Sequence, residues 1–531
     1  MEALQRDCAK AMAVLTQGTV LVMLLAMTPF CVAAQSVVAF SLGAKQGPYP
    51  VGLRVVEQYD YSRTFQPLVD DLGKPYRGET ARPIQTLIWY PAQKSSSRPM
   101  TFGEYIDLGK TETSFGSPKL MGVQPGGMQW FAGWKAARPE RMQAVRDAAA
   151  ASGRFPMVIY APSFDAWSWE NADLCEYIAS FGYVVIAGPG MGVTRESTHD
   201  VAGINAQAQD ISFLVGYAHS LANTDTSAVA VIGFSWGGLS NLFAASRDTR
   251  IKALVALDGS MRYFPGLVKA GDVDPGKQTL PLLYFKGQAS LEQQAQIETA
   301  FGSAAGPSVL NAWTHGDLVS VQMLGFFHPE FSSISQRNER LWQLDFPSWQ
   351  READYTREDG ITGYTWVARY TREFLDAYLK HDEQALEFLK STPAQNGVPS
   401  HVMAVQFRGA VPMPASLESF KVAVGQEGFD HAAEAYASIL KKDPHFKLDA
   451  NALSTWGYAL IAAGHLPEAV QIMKLNTQLF PSGDSFSGLA EAYAVSNDVT
   501  AAIESYKEAL EESPDNAVFK ERLDALNAIG R

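Results

Sequence analysis

An α/β architecture is expected: a mostly parallel sheet covered by helices, followed by a small all-α helical-repeat domain. Three features lead there. From residue 155 onward, apolar runs of strand length alternate with helix-length segments. One such run, Val229-Ala230-Val231-Ile232, stops at Gly233-Phe234-Ser235-Trp236-Gly237-Gly238. After residue 415 the composition turns to Ala-rich helix with a recurring spacing. Apolar strands without polar alternation fit a parallel sheet buried on both faces.

The chain has 531 residues, too many for one compact core, so two or three domains follow. Hydrophobic residues make up 47% and charged ones 19%, which reads as globular rather than disordered. The net charge is −13 with no long basic run, which argues against binding nucleic acid or an anionic membrane surface. Residues 1–34 read as a secretory signal: Arg6 and Lys10 precede an apolar stretch, and Val32-Ala33-Ala34 offers small residues for cleavage before Gln35. An uncleaved anchor is the alternative, weakened by Thr16, Gln17, Gly18 and Thr19 inside the stretch. Export with cleavage leaves no stable membrane span. It also leaves Cys175 as the one remaining cysteine, so no intramolecular disulfide forms, and Cys175 reads as a small core residue.

In order, residues 36–100 are β-rich, with strands expected at 53–56 and 86–90, separated by Gly73, Pro75 and Gly78. A Gly-interrupted helical segment over 101–152 could cover a pocket mouth. Strands are expected at 157–161, 183–187, 228–232, 253–257, 280–285 and 319–327, and helices at 171–180 and 206–221. Residues 363–390 show Trp366, Tyr370, Phe374 and Tyr378 at helical spacing, a core stripe rather than a cofactor box. Pro393, Pro399, Pro412 and Pro414 mark 391–414 as a linker. The expected units are thus 1–34 signal, 35–390 sheet domain, 391–414 linker and 415–531 repeats.

The Gly-x-Ser-x-Gly run sits between a strand and a helix, which is what a nucleophile elbow requires. Glycines two residues to either side leave room for close strand–helix packing. A strained serine backbone lifts Oγ clear of the sheet. The bland reading is a Gly-rich turn with a bystander serine. A nucleophilic serine needs a base, and the base an orienting acid. Asp258 ends the first apolar run after the elbow and Gly259 turns the chain, although a turn aspartate bonding its own backbone reads similarly. Among nine histidines, His328 follows the last strand-like run, with Pro329 next; His315 precedes that run and is the competitor. The order Ser235, Asp258, His328 is that of α/β-hydrolases. The oxyanion hole is then expected from the Trp236 N–H and one from the loop after 157–161, Pro162-Ser163-Phe164-Asp165-Ala166.

With these residues in hand, the chain resembles the platelet-activating factor acetylhydrolase-like and dienelactone hydrolase-related branch of the α/β-hydrolases. The shared points are the elbow, Leu257-Asp258-Gly259, His328-Pro329-Glu330-Phe331-Ser332, and Ile88-Trp89-Tyr90-Pro91-Ala92. The likeness spans roughly residues 47–390. It implies that the acid follows the first strand after the elbow, here 23 residues beyond Ser235. Two departures stand out. Where the family often has a His-Gly motif, this chain has Ser163-Phe164-Asp165, so Phe164 is the expected second N–H donor and Asp165 could alter substrate choice. Dienelactone hydrolases proper use a cysteine where this chain has Ser235, which favours ester hydrolysis. No His-x-x-x-His or Cys-x-x-Cys spacing suggests a metal, and a triad cleaving esters needs no cofactor.

Ala432, Tyr436 and Pro444 recur as Ala469, Met473 and Pro481, then as Ala502, Tyr506 and Pro514, at steps of 37 and 33 residues. This resembles tetratricopeptide repeats. They would either dock a protein partner or pack as an appendage. The expectation is an exported serine hydrolase acting on small or short-acyl esters, with lipid-like ones as one option. A silent interaction module working through its repeats is one alternative, and an acyltransferase or amidase on the same residues another. Trp167, Trp169, Trp236, Phe326 and Phe327 suggest an apolar pocket or, equally, core packing.

Overall fold

The computed structural model describes residues 40–65, 69, 72–113, 115, 132–194, 197–287, 308–338 and 354–529. The expected signal at 1–34 lies outside them. Ten strands of the described residues form one sheet: β1 (Val51–Thr64), β2 (Ala81–Pro91), β3 (Val145–Arg146), β4 (Phe155–Ala161), β5 (Val184–Ala187), β6 (Thr224–Phe234), β7 (Ile251–Leu257), β8 (Leu282–Lys286), β9 (Leu318–Met323) and β10 (Met403–Arg408). Their order is β10-β9-β8-β7-β6-β4-β5-β2-β1-β3. From β5 through β4, β6, β7 and β8 to β9 all neighbours are parallel. β2 runs antiparallel to both β1 and β5. This order, reversing at β4–β6 and carrying an antiparallel second strand, is an α/β-hydrolase fold, and the reversal is where such sheets open a crevice at their carboxyl ends.

Alternation along the central strands sends side chains into two cores. Val158 and Tyr160 of β4, Ala230 and Ile232 of β6, and Val255 and Leu257 of β7 share one face. Met157 and Ile159, Val229 and Val231, and Leu254 and Ala256 share the other. The first face is covered by the helices Ala172–Ser180 and Arg357–Leu379, through Leu174, Ile178, Tyr364, Val367 and Phe374. The second is covered by Val201–Ala218 and Trp236–Ala245, through Ile204, Ile211, Leu214, Leu239, Leu242 and Phe243. Burial on both faces is why these strands read as unbroken apolar runs. Cys175 is buried in the first core as a free thiol, which burial pushes up.

Three expectations are corrected. The single helix over 363–390 is two, Arg357–Leu379 and Glu383–Lys390. His381 adopts a positive φ of 56°, and the Asp382 carboxylate caps the second helix by accepting from the Gln384 and Ala385 N–H groups. The run at 319–327 is strand only to Met323, where pairing with β10 also ends. His328 therefore opens a short 3₁₀ turn, His328–Phe331, beyond the strand. Lastly, 391–414 is not a plain linker. β10 lies within it and pairs antiparallel with β9 from Met403↔Met323 to Arg408↔Leu318, covering that sheet edge. The prolines lie on either side of β10, where they cost no ladder bond.

Beyond residue 415 the described chain is all helical: Leu417–Glu427, Ala432–Lys442, Ala450–Ala462, Leu466–Leu479, Gly483–Val495, Val499–Glu512 and Ala517–Ile529. The recurring alanines Ala432, Ala469 and Ala502 are buried, as is Met473. A Cβ on Gly457 would come within 2.5 Å of the Met473 methyl, so a larger residue there would displace the end of the Met473 side chain. Among the described residues no helix is long and apolar enough to cross a membrane.

Candidate active site

Ser235 is the residue between β6 and the helix Trp236–Ala245, with φ 52° and ψ −115°. A non-glycine residue there is strained, and the surroundings hold it in place. The Ser235 N–H donates to the Leu257 carbonyl at 3.1 Å, and its carbonyl accepts from Ser260 at 2.7 Å and Gly238 at 3.0 Å. Glycine is required on both sides. A Cβ on Gly233 would lie 2.3 Å from Gly237, and one on Gly237 would lie 2.1 Å from the Ala161 carbonyl oxygen. The second contact also brings the end of β4 against the start of the elbow helix.

Asp258 follows β7 with φ 43°, its N–H bonded to the Phe285 carbonyl of β8 at 2.9 Å. That turn aims its carboxylate at the ring of His328. His328 Nδ1 lies 2.6 Å from Asp258 Oδ2, and His328 Nε2 lies 2.8 Å from Ser235 Oγ. The Asp258 side chain is 5% exposed and that of His328 is 40% exposed. Asp258 Oδ1 also accepts from the Tyr263 hydroxyl at 2.9 Å and from the Gly287 N–H at 3.3 Å. Burial alone pushes the Asp258 carboxyl up. The bond and charge of His328, then Tyr263 and Gly287, outweigh it and hold the carboxyl below its usual range. Burial and the Asp258 charge push the Tyr263 phenol up, which keeps it a donor.

The structure thus brings Ser235, His328 and Asp258 into one hydrogen-bonded row. It does not bring the competitors there. His315 is partly buried, with Nδ1 2.7 Å from the Val411 carbonyl oxygen. Asp317 accepts from Tyr378 and from the Ala410 N–H. Asp165 accepts from the Ser197 N–H at 2.7 Å.

Trp236 and Phe164 meet edge-to-face with ring centroids 5.5 Å apart, and Phe164 stacks on His199 at 4.0 Å. Trp236 opens the elbow helix, where N–H groups have no intrahelical acceptor. Neither the Trp236 nor the Phe164 N–H is taken up by a backbone acceptor elsewhere in the described residues. The expected aromatic pocket is mostly core: Trp169, Trp236, Phe326 and Phe327 are buried, while Trp167 is partly exposed. No group of three or more His, Cys, Asp or Glu residues that could hold a metal occurs among the described residues.

Several supporting residues carried no signal in the sequence. Tyr263 and Gly287 bond the acid, and Glu330 accepts from the Phe327 N–H at 2.7 Å beneath the His328 turn. Two buried glutamates bracket the loop after β4. Glu170 accepts from the N–H and hydroxyl of Ser163, and Glu112 from the N–H and hydroxyl of Ser168. The Glu112–Ser168 contact spans 56 residues in sequence, so spacing gives no hint of it.

No protein-family model matches this chain. No curated protein matches it either. Among solved structures it is similar to a ferulic acid esterase from Streptomyces cinnamoneus, at 19% identity and a TM-score of 0.47, over 65% of this chain and 94% of that one. A likeness that distant says nothing of what this chain binds or cleaves.

Proposed function

We propose that the protein is a serine hydrolase that cleaves carboxylic esters through an acyl-enzyme. The observation that supports this most is the continuous row Ser235 Oγ, His328 and Asp258, at 2.8 and 2.6 Å, on the carboxyl edge of the sheet. In this reading Ser235 Oγ attacks the ester carbonyl as His328 Nε2 takes its proton. The imidazolium then gives that proton to the leaving alkoxide, and a water repeats the cycle to release the acid. Asp258 fixes the tautomer with the proton on Nδ1 and faces the charge that develops on the ring. The Trp236 and Phe164 N–H groups stabilise the tetrahedral oxyanion.

The finer assignments rest on sequence. The elbow, Leu257-Asp258-Gly259 and His328-Pro329-Glu330-Phe331 support the acetylhydrolase-like branch and small or short-acyl esters. The 37- and 33-residue steps support tetratricopeptide-like repeats able to dock a protein. Arg6, Lys10 and the apolar stretch after them support export to a periplasmic or external compartment, which fractionation of the producing cell checks.

The test is turnover of p-nitrophenyl esters of graded chain length by the full chain and by Ser235→Ala. Turnover that needs Ser235 on short chains is expected. An absence of Ser235-dependent turnover, with no labelling by a fluorophosphonate probe, would leave an interaction protein. Faster acyl release to an added alcohol than to water, or cleavage of amides, would redirect the reading to acyl transfer or amide hydrolysis.

A further inference from the structure

Glu170, outside the Ser235–His328–Asp258 row, anchors the loop that carries Phe164 at the residue just before it. Ser163 immediately precedes Phe164. Its N–H donates to Glu170 Oε2 at 2.9 Å, and its hydroxyl donates to Glu170 Oε1. The Tyr160 hydroxyl, at the end of β4, donates to Glu170 Oε2 at 2.9 Å. Three donors from two points of the chain thus converge on one buried carboxylate. A carboxylate can accept all three, whereas an amide offers one oxygen and turns two N–H donors toward the others.

The same stretch grips the histidine turn. The Glu170 carbonyl accepts from the Ile334 N–H at 3.3 Å and from the Ser333 hydroxyl at 3.4 Å. Its neighbour Asn171 donates to the Phe331 carbonyl at 3.1 Å and accepts from the Ser333 N–H at 2.7 Å. Phe331 closes the 3₁₀ turn that His328 opens. Glu170 and Asn171 therefore tie the loop after β4 to the turn bearing His328.

We propose that Glu170 is a positioning residue: through Ser163 it sets the Phe164 N–H relative to His328, and so completes the oxyanion site only when its carboxylate is intact. This rests on the serine-hydrolase reading above. Burial pushes the Glu170 carboxyl up to about 6 against the pull of Ser163, Tyr160 and the His328 charge, which leaves it largely ionised at neutral pH. A neutral acceptor would fill a merely structural role with less desolvation cost.

The experiment compares the parent, Glu170→Gln, Ser163→Ala and the double variant on a short p-nitrophenyl ester. Melting temperatures and fluorophosphonate labelling rates of Ser235 are measured alongside. Glu170→Gln should lower kcat about 10²-fold, the scale of losing one oxyanion donor, with KM changed only a few-fold. Labelling should slow in parallel, because the phosphonyl oxygen uses the same N–H groups. Ser163→Ala should lower kcat by a smaller factor, and the double variant should be no slower than Glu170→Gln, since both act through one contact. If Glu170→Gln fails to fold, Ser163→Ala carries the test through its kcat, read against an unchanged KM and melting temperature. A folded Glu170→Gln enzyme with a lower melting temperature but kcat within about threefold of the parent would overturn the proposal, as would fully additive effects. Turnover that survives Ser235→Ala is a different failure. It would sink the serine-hydrolase reading, and this proposal with it.

Discussion

Replacing Asp258 by Asn changes one atom and separates the acid's role from its shape. Oδ1 of the native residue accepts from the Tyr263 hydroxyl and the Gly287 N–H, and Oδ2 faces His328 Nδ1 at 2.6 Å. If the amide oxygen keeps the first pair, the NH₂ faces Nδ1. The ring then carries its proton on Nε2, pointing at Ser235 Oγ, and cannot accept one. If the amide flips, the NH₂ meets the Gly287 N–H, a buried donor left without an acceptor, at a cost of about 1–3 kcal/mol. The flipped amide also lacks the charge opposite the developing imidazolium, and a charge-assisted hydrogen bond contributes about 1.5–3 kcal/mol. Together the two terms reach about 2.5–6 kcal/mol, a fall in kcat of roughly 10²- to 10⁴-fold. The upper end matches what removal of such an acid has cost elsewhere. The assay is steady-state turnover of a short p-nitrophenyl ester, with KM expected to move little. An Asp258→Asn enzyme within about tenfold of the parent would mean that another carboxylate holds the imidazole.

Three further outcomes are expected. His328→Ala should abolish turnover while His315→Ala, at an exposed carbonyl contact, leaves most of it; the reverse would reassign the base. Glu112, 4% exposed, is pushed up to about 8 by burial against its bonds from Ser168, so the folded protein holds a proton that the unfolded chain releases near 4.5. Its contribution is complete below that value and is lost as pH rises toward about 8, at no more than about 1.4 kcal/mol per pH unit. Urea unfolding across that window should show stability falling with pH, and Glu112→Gln should make the fall shallower; an unchanged slope would refute the assignment. A chain ending after Pro414 keeps β10 and should stay soluble and active, whereas one ending at Lys390 bares the β9 edge and should aggregate; equal solubility of the two would show that β10 is dispensable.

The sheet was legible in the sequence because its central strands are buried on both faces and show as unbroken apolar runs between helices. The elbow was legible for a geometric reason. The contacts at Gly233 and Gly237 admit no Cβ, so the spacing Gly-x-Ser-x-Gly is written into the chain. Asp258 and His328 could be named from their positions after apolar runs. Gly287 and Glu112 could not, since their contacts join residues 29 and 56 apart in the chain; nor could Tyr263 and Glu170, whose partners lie close in sequence but at no spacing that marks a motif. β10 was hidden by its prolines, which read as linker although an edge strand tolerates them at its ends. The break at His381 was hidden because a positive φ on a histidine leaves no compositional mark, and the aromatic stripe at helical spacing ran up to it without warning.

The edge strand also bears on the reach of the repeats. After β10, the Ala410 N–H is bonded to Asp317 and the Val411 N–H to the Thr314 carbonyl, while the Ala415 N–H is already bonded to Asp443 of the helical region. What joins the two fastened ends is Pro412-Met413-Pro414, a tether whose span from Val411 to Ala415 is at most about 14 Å. Two of its three residues have φ fixed by a ring. A molecule held by the repeats would therefore be confined to a small volume beside the sheet. Its effective concentration there would be on the order of millimolar, whatever its concentration in the surrounding medium.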